Sequence, residues 1–405
     1  MKKILWVLLP LLVLSLAACG ADDTPETTAP LIEVEIPYEE PAAELPYTGV
    51  ELTVQSVWKQ EDLQAQVLTQ AAQYFEQKTG AAVTILWPES SGQTADIFQI
   101  RAADFASTDA ESLLDLTKMT EEAGYAEKSH EVLRIQTISK LGFLGAVAQT
   151  PYLGGIYYNA DVFTSCGITE MPKTWDEFNR ICQILRQKGW QPLTLDKEDA
   201  VAAMELHLRR IVGTEAMHRF MGSDAQWHLD LTVVGAMEQV MLFVQDGNMA
   251  YATPADYPTG QNKMGLSNCA MMVGTNADCA AVEESTLTDL RWGVFPYPGN
   301  SGSGTWITAD MLAIYRDCKN PQAAFDFVML LATGEFDQFR ADITCGIPAD
   351  PANSSPIAGV AEAMNAEMPE QLSVFGSRQT DVAVKLWSGW YTKADSYAIA
   401  LERSK

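Results

Sequence analysis

Basic residues are scarce in this chain. Its 27 Lys and Arg stand against 53 Asp and Glu, a net charge of −26 at pH 7. With no basic face to neutralise phosphates, a nucleic-acid role is excluded, and attraction to anionic lipid is weak. Histidine is scarcer still. His130, His207, His218 and His228 fall in no H-E-x-x-H or other tight metal spacing, so no metal site is expected. None of the seven cysteines forms a C-x-x-C pair, which leaves zinc and thioredoxin-like chemistry unsupported. The glycine-rich run "PGNSGSGT" (298–305) lacks the lysine of a phosphate loop, and no G-x-S-x-G elbow occurs. No pair among the acids is singled out as glycosidase carboxylates. The chain therefore carries no recognisable catalytic apparatus and calls for no cofactor. No internal repeat of fixed period is present, and after the first twenty residues no apolar run approaches the ~20 residues of a membrane helix.

What is present begins with those twenty residues. "MKK" followed by "ILWVLLPLLVLSLAA" has the build of an export signal. It ends in "LAAC", which resembles a bacterial lipobox. Residues 1–18 are then a lipoprotein signal peptide, and Cys19 is the residue that receives lipid. Residues 19–48 hold acids and prolines but, from 21 on, no lysine or arginine, the composition of a flexible tether. Edge pairing through "LIEVEIPY" is a lesser alternative. The expected location is the outer side of a cell membrane, lipid-anchored, in a Gram-positive-type envelope.

From about residue 50 roughly 355 residues remain, more than one core usually supports, so two lobes are expected. Once Cys19 is lipidated, Cys166, Cys182, Cys269, Cys279, Cys318 and Cys345 are left. Export permits disulfides, but a core this large favours buried thiols, and sequence assigns no pairing. "ELTVQSVW" alternates as a strand, Leu63 to Phe75 repeats at helical spacing up to Gly80, and "AAVTILW" reads as a second strand. That βαβ unit implies a parallel sheet covered by helices. "PKTWDEFNRICQILRQKG" is a helix with a Thr174/Glu177 capping box, an apolar stripe and a stop at Gly189. "NPQAAFDFVMLLATG" has Asn320 as cap, Pro321 in the first turn and Gly334 as stop.

A family resemblance becomes specific at "GGIYYNADVFTSCGITEMPKTWDEFNRICQILRQKGWQPLTL". This segment resembles the glycine, tyrosine-pair, Asn and Pro-x-Thr-Trp-x-Glu-Phe region of solute-binding proteins of bacterial ABC importers, of the maltose-binding-protein-like, sugar-binding type. "TADIF", "NPQAAFDFVMLLATGEFDQF" and "CGIPAD" agree with that family in order and spacing, with Ala95 where proline is usual. The resemblance runs from residue 50 to about 350. "NKMGLSNCAMMVGTN" (262–276) keeps Ala270-Met271 but lacks the preceding Gly-Lys.

The resemblance implies an α/β, two-lobed periplasmic-binding-protein-like fold of type II with a ligand cleft between hinged lobes. The N-terminal lobe would comprise 49–152 and 308–350, and the C-terminal lobe 153–307 and 351–405. It implies a monomer that binds a small solute, most often a carbohydrate, and delivers it to ABC permease subunits without enzymatic turnover. "TPYLGGIYYN" would be the first crossing between lobes and "GTWITADMLAI" the second. Sugars stack on aromatic faces and hydrogen-bond to carboxylates and amides. The candidate ligand residues are accordingly Trp58, Glu61, Asp96, Tyr152, Tyr158, Trp227, Trp306 and Asp310. For each tryptophan core packing is the alternative; Trp387, Trp390 and Tyr391, expected in one last helix, are better suited to core. A polyamine, amino-acid derivative or phosphate ester on the same fold remains a second reading, with Arg101 or Arg291 needed for an anion. An extracellular glycan hydrolase is a third.

Overall fold

A computed structural model describes residues 45–90, 95–195, 197–213, 226–249, 268–286, 290–299, 304–366 and 377–403. The expected signal peptide, Cys19 and nearly all of the tether lie outside the described residues. Among those described, eight strands form one sheet: β1 (Glu51–Gln55), β2 (Ala82–Leu86), β3 (Ile97–Ile100), β4 (Ala146–Asn159), β5 (Gln191–Thr194), β6 (Cys269–Thr275), β7 (Trp292–Phe295) and β8 (Trp306–Ile314). Their order is β2-β1-β3-β8-β4-β6-β5, with β7 also paired to β4.

The βαβ unit is as its periodicity predicts. β1 lies parallel to β2 and β3, and the connecting helix Leu63–Thr79 buries Ala65, Val67, Leu68, Ala71, Ala72 and Phe75. Gly80 ends that helix at φ 79°, a left-handed backbone that suits glycine. Tyr47 fastens the start of the described chain to this layer: its ring stacks on Phe75 and its hydroxyl donates to Asp326.

β4 and β8 join the two halves of the sheet. The first part of β4, Ala146–Gly154, pairs antiparallel with β8, whereas Ile156–Asn159 pairs with β7 and Gly154–Tyr158 with β6. A register shift between Ala148 and Thr150 places one extra residue, Gln149, in β4. Helices cover the two faces of the sheet, so β4 is buried along nearly its whole length. One core gathers Phe178, Met204, Trp227, Met271 and Trp387; another gathers Leu133, Leu153, Tyr157, Met311 and Ile357.

Caps set the local turns. Asn159 accepts from the backbone N–H groups of Asp161 and Val162 and starts the helix Ala160–Cys166 directly after β4. The Thr174/Glu177 capping box is complete on the helix Trp175–Gln187. The helix Pro321–Ala332 differs from expectation: Asn320 makes no side-chain cap, and the helix ends before Gly334. Gly334, at φ 64°, instead opens the next helix, Gly334–Ile343. The last expected helix is two, Ser377–Trp387 and Ala394–Arg403, because Gly389 turns left-handed at φ 76° and leaves Trp390 and Tyr391 between them. Asp337, fully buried, accepts from Arg340, Ala349, Asp350 and Asn353 and so folds the "CGIPAD" segment back. That segment then reaches the far half of the sheet, where Ala358 bonds Trp292 and Val294. None of the six cysteines is in a disulfide; Cys182 is fully buried, and burial pushes the Cys345 thiol up to about 12.

Candidate functional site

Side chains alternate across a strand, and register decides which of them meet. On the crossing strands Thr150 lies opposite Asp310, Tyr152 opposite Thr308, and Gly154 opposite Trp306. These side chains share one face. Parallel strands β1 and β3 both end toward the same place, which brings Trp58 and Arg101 to it. Asp310 Oδ1 accepts from the Ala102 backbone N–H at 2.8 Å, and Oδ2 accepts from Tyr152 Oη at 2.9 Å. The Trp58 side chain, 5% exposed, approaches the same carboxylate and favours its charged form. Asp310 is 4% exposed, and burial raises its pKa above the usual carboxylate value; the Ala102 and Tyr152 donors, the nearby Arg101 charge and Trp58 oppose the rise. Burial first, and then the Asp310 charge, push the Tyr152 phenol well above its ordinary value, so Tyr152 stays a neutral donor.

A second polar layer fixes the strand ends. Gln99 Oε1 accepts from the Ser56 hydroxyl at 3.0 Å and the Val57 N–H at 3.1 Å. Its Nε2 donates to Gln149 Oε1 at 2.7 Å. Gln149 is the bulge residue, so the extra residue in β4 supplies this contact directly beside the Thr150–Asp310 pair. Arg101 donates to the Val57 carbonyl from an exposed position.

Three of the residues expected from sequence therefore meet: Trp58, Tyr152 and Asp310. Trp306 lies on the same face further along, buried over Gly154. The others are placed elsewhere. Tyr158 packs on Phe163 and Phe295 above Gly293, inside a core. Trp227 is 1% exposed in the same core. Asp96 sits at the start of β3, where its carboxylate accepts from both the backbone N–H and the hydroxyl of Thr53. That is the opposite end of the strand from Arg101. Glu61 is exposed in the turn before the first helix. Arg291 pairs with Asp161 on the surface, away from the crossing strands. Sequence reasoning did not single out Thr150, Thr308, Gln99 or Gln149. Strand alternation from Tyr152 and Asp310 points to the two threonines; nothing local marks the glutamines.

On the opposite face of the crossing strands lie Leu153, Ile307, Ala309 and Met311. A groove of about 830 Å³ opens beyond them, lined by His130, Val132, Ile135, Pro348, Ile357 and Met364. Among the described residues no group of three or more His, Cys, Asp or Glu is placed to hold a metal ion. No helix among them is long and apolar enough to cross a membrane.

Residues 47–335 match the family described as bacterial extracellular solute-binding protein. No curated protein matches the sequence. Solved structures of similar fold include the apo form of RafE from Streptococcus pneumoniae, at 17% identity and TM-score 0.70 over 91% of this chain and 98% of that one. A chitin oligosaccharide binding protein is 19% identical, with TM-score 0.62 over 87% of this chain and 97% of that one. The substrate-binding protein Lmo0181 from Listeria monocytogenes, in complex with cycloalternan, is 15% identical, with TM-score 0.58 over 87% and 97%. At these identities the likeness is one of fold: two α/β lobes joined by crossing strands.

Proposed function

The chain belongs to the bacterial extracellular solute-binding proteins, and from that premise we propose that it captures a carbohydrate between its lobes for delivery to an ABC permease. The observation that carries this reading is the meeting of Trp58, Tyr152 and Asp310 on one face of the strands that link the two halves. An indole offers a face to the C–H side of a sugar ring, while a phenol and a carboxylate address its hydroxyl rim. Structures of the same fold are described with raffinose, stachyose and cycloalternan. In this reading the lobes are 49–152 with 308–350 and 153–307 with 351–405, and they close by rotation at Tyr152–Gly155. Binding is reversible, involves no covalent step and takes place on a monomer.

Attachment through Cys19, after removal of residues 1–18, belongs to the same proposal. The acidic tether then holds the binding domain at the outer membrane surface beside its permease. Glu61, Asp96, Tyr158 and Trp227 have less support as ligand residues than Trp58, Tyr152, Trp306 and Asp310, because their side chains are committed to other partners, buried in a core or set apart from the crossing strands. A thermal-shift screen of the soluble domain with raffinose, stachyose, chitin oligosaccharides, spermidine and glycerol 3-phosphate tests the ligand class. A ligand that binds only the folded state raises the melting temperature. A shift with a saccharide supports the reading, and a shift with spermidine or the phosphate ester alone refutes it.

A further inference from the structure

Thr150 is 3% exposed and its hydroxyl has no hydrogen-bond partner. Buried hydroxyls are nearly always partnered, so a lone one inside a binding face calls for an explanation. Its position supplies one. Thr150 stands directly opposite Asp310 across β4 and β8, on the same face as Tyr152 and Thr308. Side chains so paired have Cβ atoms about 4.5–5.5 Å apart. The Asp310 carboxylate is nonetheless drawn the other way, toward the Ala102 N–H and the Tyr152 hydroxyl. A donor without an acceptor thus faces a carboxylate held by other donors. Thr150 is the last residue of the regular register that runs from Gly154, and the bulge at Gln149 interrupts the ladder directly beside it.

We propose that Thr150 is a ligand-recognising residue, whose hydroxyl is satisfied by a ligand hydroxyl that at the same time donates to Asp310. The inference rests on the carbohydrate reading and deepens it by naming the group that the innermost part of the site selects. A hydroxyl accepts the Thr150 proton and gives its own to the carboxylate. An ammonium group can donate to the Thr150 oxygen but leaves the hydroxyl proton without an acceptor, and a carboxylate or phosphate dianion has no proton to give and is repelled by Asp310. Tyr152 is the movable member. It is half-buried, and its hydroxyl caps the Asp310 oxygen that the ligand takes over.

The test is Thr150→Val, which keeps the shape and removes the hydroxyl. Urea melts of the free protein come first. An unchanged or raised midpoint is expected, because an unpartnered polar group is lost; a clearly lowered midpoint overturns the inference, since the hydroxyl is then already bonded without ligand. Calorimetric titration with raffinose, stachyose and chitin oligosaccharides follows on wild type and variant. A loss of about tenfold or more in affinity is expected, with Thr150→Ser restoring most of it. Equal affinities overturn the inference and leave the carbohydrate reading intact. A wild type that binds none of these sugars overturns the two together.

Discussion

The packing of Trp306 on Gly154 gives a test of the crossing-strand register. A Cβ built on Gly154 lies 1.9, 2.0 and 2.3 Å from three indole atoms of Trp306, where ordinary contacts begin near 3.4 Å. The backbone of Gly154 is not left-handed, so only space opposes a side chain there. In Gly154→Ala the ring must retreat by about 1.5 Å or leave its seat. Overpacking that the surroundings absorb costs about 1–3 kcal/mol. Expulsion of the indole forfeits roughly 4–6 kcal/mol, from 150–250 Å² of ring surface at about 25 cal/mol per Å². We expect a destabilisation of about 2–4 kcal/mol by urea denaturation, between these limits. The second arm of the cycle is Trp306→Leu, in which alanine at 154 should cost far less, giving a coupling energy above about 1 kcal/mol. A Gly154→Ala loss below about 0.5 kcal/mol, or additive single and double variants, would refute both the register and the seat of Trp306.

Three further outcomes follow from burial. Trp227→Ala should lower stability by about 3–5 kcal/mol, as a core tryptophan does, while saccharide affinity is retained; an unchanged melt with weakened binding would return Trp227 to the ligand wall. His207 is fully buried, and burial, then the Arg210 charge beside it, holds its pKa well below 6.5. Below about pH 6.5 the unfolded chain therefore takes up a proton that the folded chain refuses. This site's contribution to stability falls as pH drops, by at most about 1.4 kcal/mol per pH unit. His207→Gln should flatten that part of the profile between pH 7.5 and 5.5, and parallel profiles would contradict it. A soluble chain beginning at residue 45, unfolded without reductant, should release six thiols to a colorimetric titrant; fewer would reveal a disulfide.

The features legible in the sequence are those fixed within a few residues. The capping box at Thr174, the stop at Gly80 and the βαβ spacing each depend on neighbours in the chain, and each is where the pattern puts it. Asn159 in "YYNADVF" is equally local, a cap for the helix that follows directly. What could not be read depends on distant partners. Asp96 reads as a cleft carboxylate at the mouth of a strand, but Thr53, 43 residues away, engages it from two sides. Trp227 stands among polar neighbours in "SDAQWHLD" and still packs in a core, because the helix Ala394–Arg403, remote in sequence, packs against its turn. The contact of Gln149 with Gln99 depends on a single extra residue in β4, which alternation alone does not reveal. Tyr152 and Asp310 could be found because the crossing segments themselves were recognisable.

The central claim is that a saccharide is held on the Trp58, Tyr152 and Asp310 face of the crossing strands. Its most direct test is a crystal structure of the chain from residue 45, grown with whichever saccharide gives the largest thermal shift. The account predicts a sugar ring against Trp58, with its hydroxyls within hydrogen-bond distance of Tyr152 and Asp310. A sugar seated instead in the groove of His130, Pro348 and Met364, with the Tyr152–Asp310 pair untouched, would contradict it.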